Sequence, residues 1–173
     1  MHKRRRFLGM LGLTALSSQL SACGFRLRGS GAASSFPFQR IYVNQPPNSQ
    51  LGADLRRQLA PYEGLTIVEQ SQDAQVALQI LTEQRDRVIL TRNAQGRVRE
   101  YDLRYVMNYR VADGSGKELV PASQVAANRI LSYNENAALG KEAEENMLYR
   151  DMQLDAIQQI LRRLALLPIG TQK

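Results

Sequence analysis

The chain has 173 residues, 23 of them Lys or Arg and 16 Asp or Glu, for a formal charge of +7. That length holds about one domain once a short export segment is set aside. Its one histidine is His2 and its one cysteine is Cys23, so the remainder has no Ser-His or Cys-His pair, no histidine metal ligand and no disulfide framework, which excludes most hydrolase designs.

Residues 1–22 read as an export signal: a basic start at Lys3 to Arg6, an apolar run from Phe7 to Leu16, then small residues. The apolar run is too short to span a bilayer. Leu20-Ser21-Ala22-Cys23 resembles the lipobox of bacterial lipoproteins, so cleavage is expected before Cys23, which then carries S-diacylglycerol and N-palmitoyl groups. Several acyl chains anchor stably because each buried CH2 contributes about 0.8 kcal/mol. Acylation also explains an unpaired cysteine in an oxidising compartment; the bland alternatives are a free thiol behind an ordinary signal and an uncleaved anchor. Arg4-Arg5-Arg6-Phe7-Leu8 fits the R-R-x-F-L core of a twin-arginine signal as well as a plain basic start, so the export route stays open. Removing Lys3, Arg4, Arg5 and Arg6 lowers the basic count from 23 to 19 against 16 acids. The expected mature charge is therefore only +3, and no nucleic-acid partner is expected. Gly24, where an Asp favours inner-membrane retention in enteric lipoproteins, points to the outer membrane.

Small residues dominate from Gly24 to Ser35 and suggest a tether over residues 23–39. A domain over residues 40–168 and a tail over 169–173 complete the expected organisation. Arg40-Ile41-Tyr42-Val43 is a short strand candidate, stopped by Pro46-Pro47. Asn48 or Ser49 then caps a helix whose apolar stripe is Leu51, Leu55 and Leu59, with Asp54, Arg56 and Arg57 on other faces, ended by Pro61 and Gly64. Leu65 to Val68 is a second short strand, and Gln75 to Thr82 a longer one continuing less regularly to Thr91. Asn93-Ala94-Gln95-Gly96 is a hairpin turn. Tyr101, Leu103, Tyr105, Met107, Tyr109 and Val111 alternate with mostly polar residues, as in a strand with one wet face. Asp113-Gly114-Ser115-Gly116 turns again into a strand from Leu119 to Tyr133, with Pro121 near its start. A long amphipathic helix from about Ala138 to Leu166 carries Met147, Leu154, Ile157, Leu161 and Leu164 on its expected apolar stripe and ends before Pro168. Acids in its first turns and arginines in its last suit the helix dipole, which leaves Glu142 to Glu145 without need of a catalytic role. The order of elements predicts an α+β domain: a small mixed or antiparallel sheet with two α-helices packed on one face.

Chemistry-bearing motifs are sparse. Gly114 and Gly116 lack the following helix and lysine of a P-loop. Carboxylate-only catalysis stays formally open, since spacing alone reveals no acid–base pair. The notable cluster is basic: Arg85, Arg87, Arg92, Arg97 and Arg99 surround the Asn93–Gly96 turn. It reads either as a solvated strand end guarding a sheet edge or as guanidinium groups able to grip phosphates.

Cys23-Gly24-Phe25-Arg26-Leu27-Arg28-Gly29 resembles the C-G-(F/W)-x-L-R opening of the lipopolysaccharide-assembly lipoprotein family, LptE (RlpB). Arg92-Asn93-Ala94-Gln95-Gly96 followed by Glu100-Tyr101 resembles its R-N-x-x-G hairpin and E-Y strand start. Ala137 to Leu164 resembles its A-L-x-K-x-x-E helix entry and closing helix. The resemblance spans nearly the whole expected mature chain. It implies a small sheet backed by two helices, with no enzymatic activity, cofactor or metal. It further implies an outer-membrane lipoprotein that plugs the β-barrel LptD, its domain facing the periplasm and barrel lumen, in delivering lipopolysaccharide to the outer leaflet. By motif position, Arg92 and Lys141 are the implied lipopolysaccharide-binding residues; Arg85, Arg87, Arg97 and Arg99 match no motif position. The competing reading is an outer-membrane lipoprotein that scaffolds or regulates another envelope assembly.

Overall fold

The computed structural model describes residues 36–169. The expected signal, Cys23 and the acylated N-terminus through Ser35, together with residues 170–173, lie outside the described residues. Five strands are described: β1 Arg40–Val43, β2 Thr66–Val68, β3 Val76–Arg92, β4 Val98–Ala112 and β5 Glu118–Ser132. Two α-helices, α1 Gln50–Leu59 and α2 Ala138–Leu164, complete the α+β order expected from the periodicities. The sheet runs β2-β1-β3-β4-β5; β1 is parallel to β2 and β3, and β3, β4 and β5 form the expected antiparallel meander.

Both reversals in the meander are built alike. Asn93 N–H bonds the Arg97 carbonyl at 2.8 Å, and the Asn93 side chain accepts from the N–H groups of Gln95 and Arg97. Asp113 repeats this with Lys117 and Ser115. The chain leaves each loop through a glycine of positive φ, Gly96 at +76° and Gly116 at +89°, where a Cβ would be strained.

One apolar core joins the inner sheet face to both helices. Strands β1, β3 and β4 contribute Ile41, Val43, Val76, Leu78, Leu103, Tyr105, Met107 and Val111; α1 contributes Leu51, Leu55 and Leu59 as its spacing predicted. Ser49 caps α1, its hydroxyl accepting from Gly52 N–H at 3.0 Å.

Helix α2 buries Ile157, Leu161 and Leu164 of its expected stripe and departs from it at Met147. Its buried positions are Tyr149, Met152, Gln153, Ala156, Ile157, Ile160, Leu161 and Leu164, whereas Met147 is 61% exposed. Burial in the helix begins only at Tyr149; the turn before it meets the sheet through the polar contact of Glu145 with Arg87. Its first turn holds no acid, Glu142, Glu144 and Glu145 lying further along, and a 3-10 turn at Glu135–Ala137 leads into it. The last turn does carry Arg162 and Arg163, which complement the carbonyl end of the dipole.

Asp54 also departs from expectation, being fully buried. Its carboxylate accepts from Gln50 Nε2 at 2.7 Å, Arg57 Nη1 at 2.8 Å and Gln153 Nε2 at 3.1 Å. A buried carboxylate is tolerable only with such partners, and the Gln153 bond ties α1 to α2. No helix among the described residues is long and apolar enough to cross a membrane.

Candidate functional site

The basic residues sit at one end of the molecule, where β3 and β4 outrun β1. Strand β1 pairs with β3 only as far as Val43 opposite Leu78. From Leu81 to Arg92 every residue of β3 is exposed, and its registered partner is β4 alone, through Arg92 opposite Val98. Strand β5 then delivers the chain to Tyr133, whose N–H bonds the Arg99 carbonyl at 2.7 Å, and onward to the start of α2. The hairpin tip and the N-terminal end of α2 thus lie at the same end, joined also by Arg97 to Glu135 at 3.6 Å.

The five arginines do not act as one cluster. Arg85 donates to Gln153 Oε1 at 2.8 Å and to Glu83 Oε1 at 2.9 Å, with its guanidinium 5.9 Å and 5.8 Å from the ring centres of Tyr105 and Tyr149. Arg87 donates to Glu145 Oε2 at 2.8 Å and lies 4.8 Å from the Tyr101 ring centre. The hydrogen bond from Arg87 to Glu145, with the charge behind it, raises the arginine pKa above its already high ordinary value. Both arginines therefore stitch the projecting hairpin to α2 through cation–π and charge-assisted contacts. Neither of the two sequence readings of this cluster anticipated that arrangement. Its signal was present as Glu145 and Gln153, eight residues apart on a helix, but spacing does not reveal which strand they meet.

The two motif-derived residues stand apart from these stitches. Arg92 donates to the Gly96 carbonyl at 2.9 Å within the exposed tip. Lys141 donates to Glu144 Oε2 at 2.7 Å, three residues along its own helix. Lys141 lines a cleft of about 350 Å³ together with Arg87, Tyr133, Leu139, Glu142 and Glu145; Arg92 does not line it. The structure thus brings both to one end without joining them in one cavity. Each has its cationic group held by an acceptor of its own local element, a carbonyl for Arg92 and a carboxylate for Lys141. An anionic phosphate competes well for such donors. Cys23 falls outside the described residues.

Tyr105 and Glu83 complete the junction between hairpin and core. The Tyr105 hydroxyl donates to Glu83 Oε1 at 3.0 Å, and burial, reinforced by the Glu83 charge, pushes its pKa well above the usual tyrosine range. The Tyr149 hydroxyl donates to the Asp86 carbonyl at 2.7 Å, and burial raises its pKa as well. Among the described residues there is no cluster of His, Cys, Asp or Glu able to hold a metal ion.

A second cavity, of about 670 Å³, lies at the opposite end of the strands, between Phe36, Phe38 and Gln75 on one side and Asp113, Leu119 and Ile169 on the other. Its lining mixes rings and amides with no convergent charge pair.

This architecture defines a class of small α+β proteins: a mixed sheet backed by two helices, with one long hairpin extending past β1. Solved structures share it. An uncharacterised lipoprotein B from Nitrosomonas europaea superposes with a TM-score of 0.69 at 37% identity, covering 82% of this chain and 90% of that one. The rare lipoprotein B from Shewanella oneidensis gives a TM-score of 0.63 at 25% identity, covering 73% of this chain and 93% of that one. Among curated relatives, the LPS-assembly lipoprotein LptE of Pectobacterium atrosepticum is 26% identical over 94% of this chain and 86% of its own length. That of Yersinia enterocolitica is 29% identical over 94% and 76%. The LptE family, described as lipopolysaccharide-assembly, matches residues 38–164, from the buried Phe38 to the last residue of α2. The chain belongs to this family, whose role is in lipopolysaccharide assembly.

Proposed function

We propose that this protein is a non-catalytic outer-membrane lipoprotein, anchored through acylated Cys23, that plugs and supports the LptD barrel and binds lipopolysaccharide during its assembly into the outer leaflet. The observation that carries this reading is the family match over residues 38–164, which takes in the projecting hairpin and the entry of α2 along with the core. The geometry supports it by separating a scaffold from a working end: an apolar core joins the sheet to both helices, and β3 and β4 extend past the end of β1. In this reading Arg92 and Lys141 contact the anionic phosphates of lipid A or core sugars, exchanging the Gly96 carbonyl and the Glu144 carboxylate for phosphate oxygens. Competition of this kind loosens lipopolysaccharide aggregates before insertion.

The assembly part is tested by solubilising outer membranes that carry the full-length, acylated, C-terminally tagged protein in mild detergent and identifying what co-purifies in stoichiometric amount. A large barrel of the LptD type is the expected result. Acylated protein recovered without a barrel removes the plug role and leaves a scaffold in another envelope assembly as the better account.

A further inference from the structure

The long edge of β3 is open, and the fold closes it up to one residue and no further. At the end of β1, the Asn44 side chain accepts from Ile80 N–H at 2.9 Å and donates to the Ile80 carbonyl at 3.0 Å. That carboxamide satisfies Ile80 as a neighbouring strand residue would. Past it, no strand among the described residues faces the side of β3 away from β4, and one carbonyl of the stretch, that of Asp86, accepts from the Tyr149 hydroxyl of α2 at 2.7 Å.

The open stretch is bracketed by two irregularities in the β3–β4 register, one between Ile80 and Thr82 and one between Ile89 and Thr91. The residues skipped by the register are Leu81 and Leu90, and both are exposed, with Val88 and Ile89, at 41–48%. Proteins usually guard such an edge with charges laid across it, with proline or with cover. Here the two arginines of the stretch are drawn onto α2 by Gln153 and Glu145, and its ends are apolar. By contrast β5, the other long edge, carries Pro121, and Ile130 is its one large exposed apolar residue.

We propose that the edge of β3 between Leu81 and Leu90 is a docking edge that takes an extended polypeptide segment of the barrel partner as an added strand. The chemistry selects the occupant. Apart from the Asp86 carbonyl, held by Tyr149, N–H and C=O groups at strand spacing along an open edge are satisfied only by another extended backbone, whereas acyl chains satisfy none of them. The eight residues from Thr82 to Ile89 present roughly 27 Å of such edge. Several registers of pairing with a second copy of this chain are disfavoured. An antiparallel pairing of two copies centred on Arg85, Asp86 or Arg87 sets that residue opposite itself, and like charges directly opposite are destabilising. Closed barrels leave no strand edge free, so the segment comes from a loop or terminal arm of the barrel protein. Its side chains meeting Leu81 and Val88–Leu90 are apolar, and those between are uncharged, because Glu83, Arg85, Asp86 and Arg87 balance one another. This inference rests on the barrel association proposed above.

The test is amide hydrogen exchange on the full-length acylated protein, alone and in the detergent-solubilised outer-membrane assembly, comparing residues 82–90 with 103–111 of β4 as an internal control. Exchange at 82–90 is expected to slow by about tenfold or more in the assembly, with the control slow in both. The double variant Leu81→Lys/Leu90→Lys is expected to keep control protection while losing most of the co-purified barrel. A barrel that co-purifies while 82–90 exchanges as in the free protein overturns the docking edge and leaves the plug role standing. Protein recovered without a barrel overturns both. Protection at 82–90 that appears in the isolated protein as its concentration rises assigns the edge to self-association and overturns the proposal.

Discussion

The two parts of β3 make the most instructive comparison in the molecule. Val76, Ala77, Leu78 and Ile80 are buried between β1, β4 and the helices, while all twelve residues from Leu81 to Arg92 are exposed. The strand is continuous, and Leu81, Val88, Ile89 and Leu90 are as apolar as the residues before them, but Thr82 to Arg87 between them are all polar or charged. The neighbourhood changes as well: β1 stops, Asn44 caps the last covered residue, and α2 reaches what remains only through polar side-chain contacts at Arg85, Asp86 and Arg87. Strand β4 differs because its inner face keeps Leu103, Tyr105, Met107 and Tyr109 buried under α2. The same hairpin therefore has one leg built into the core and one leg facing outward. The lesson is that the apolar residues of outer β3 stay exposed and open to contact, outside the core that joins sheet and helices.

Paired truncations probe that difference with the largest expected effect. Leu78→Ala, at a fully buried position, is expected to cost about 2–5 kcal/mol in chemical denaturation. Val88→Ala, in the outer part of the same strand, should stay within ~0.5 kcal/mol. Comparable losses at the two sites would erase the distinction. Next comes Asp54→Ala, which strands the Gln153 amide between the helices. An unsatisfied buried donor costs about 1–3 kcal/mol, and the loss should appear as a lower denaturant midpoint with an unchanged slope. A smaller, pH-dependent effect belongs to Tyr105 at the junction. Its pKa is raised by burial in the folded state, so its contribution is full below the ordinary tyrosine pKa of about 10 and is lost as pH rises above that, where the unfolded chain ionises first. Tyr105→Phe should therefore unfold less steeply at alkaline pH than the parent, while losing about 1 kcal/mol at neutral pH with the hydrogen bond to Glu83. An alkaline limb as steep as the parent's would assign that loss to other groups.

Much of this fold was legible from local pattern. The four-residue spacing of Leu51, Leu55 and Leu59, the alternation from Tyr101 to Val111 and the two Asx–Gly turns each encode their element within a dozen residues, because 3.6-fold and twofold periods and turn chemistry are local signals. The departures arise where a long-range partner decides. Asp54 looks like a surface residue until Gln153, ninety-nine positions away, is placed beside it. Met147 fits the helical period, yet the sheet does not reach it. The site divides in the same way: spacing showed a basic cluster, family motifs singled out Arg92 from it and added Lys141, and only the structure showed Arg85 and Arg87 occupied with α2. The unpaired edge of β3 was invisible because a strand's sequence does not say how long its neighbour is.

The claim at the centre of this account is that the outer end binds and the covered end folds. It is tested most directly by measuring lipopolysaccharide binding and thermal unfolding together for Arg92→Glu/Lys141→Glu, beside the parent. Both residues use acceptors within their own local elements, so the account predicts a large loss of binding, greatest at low ionic strength, with an unfolding transition close to the parent's. Binding that survives both charge reversals in a folded protein would contradict the assignment of the phosphate contacts to this end.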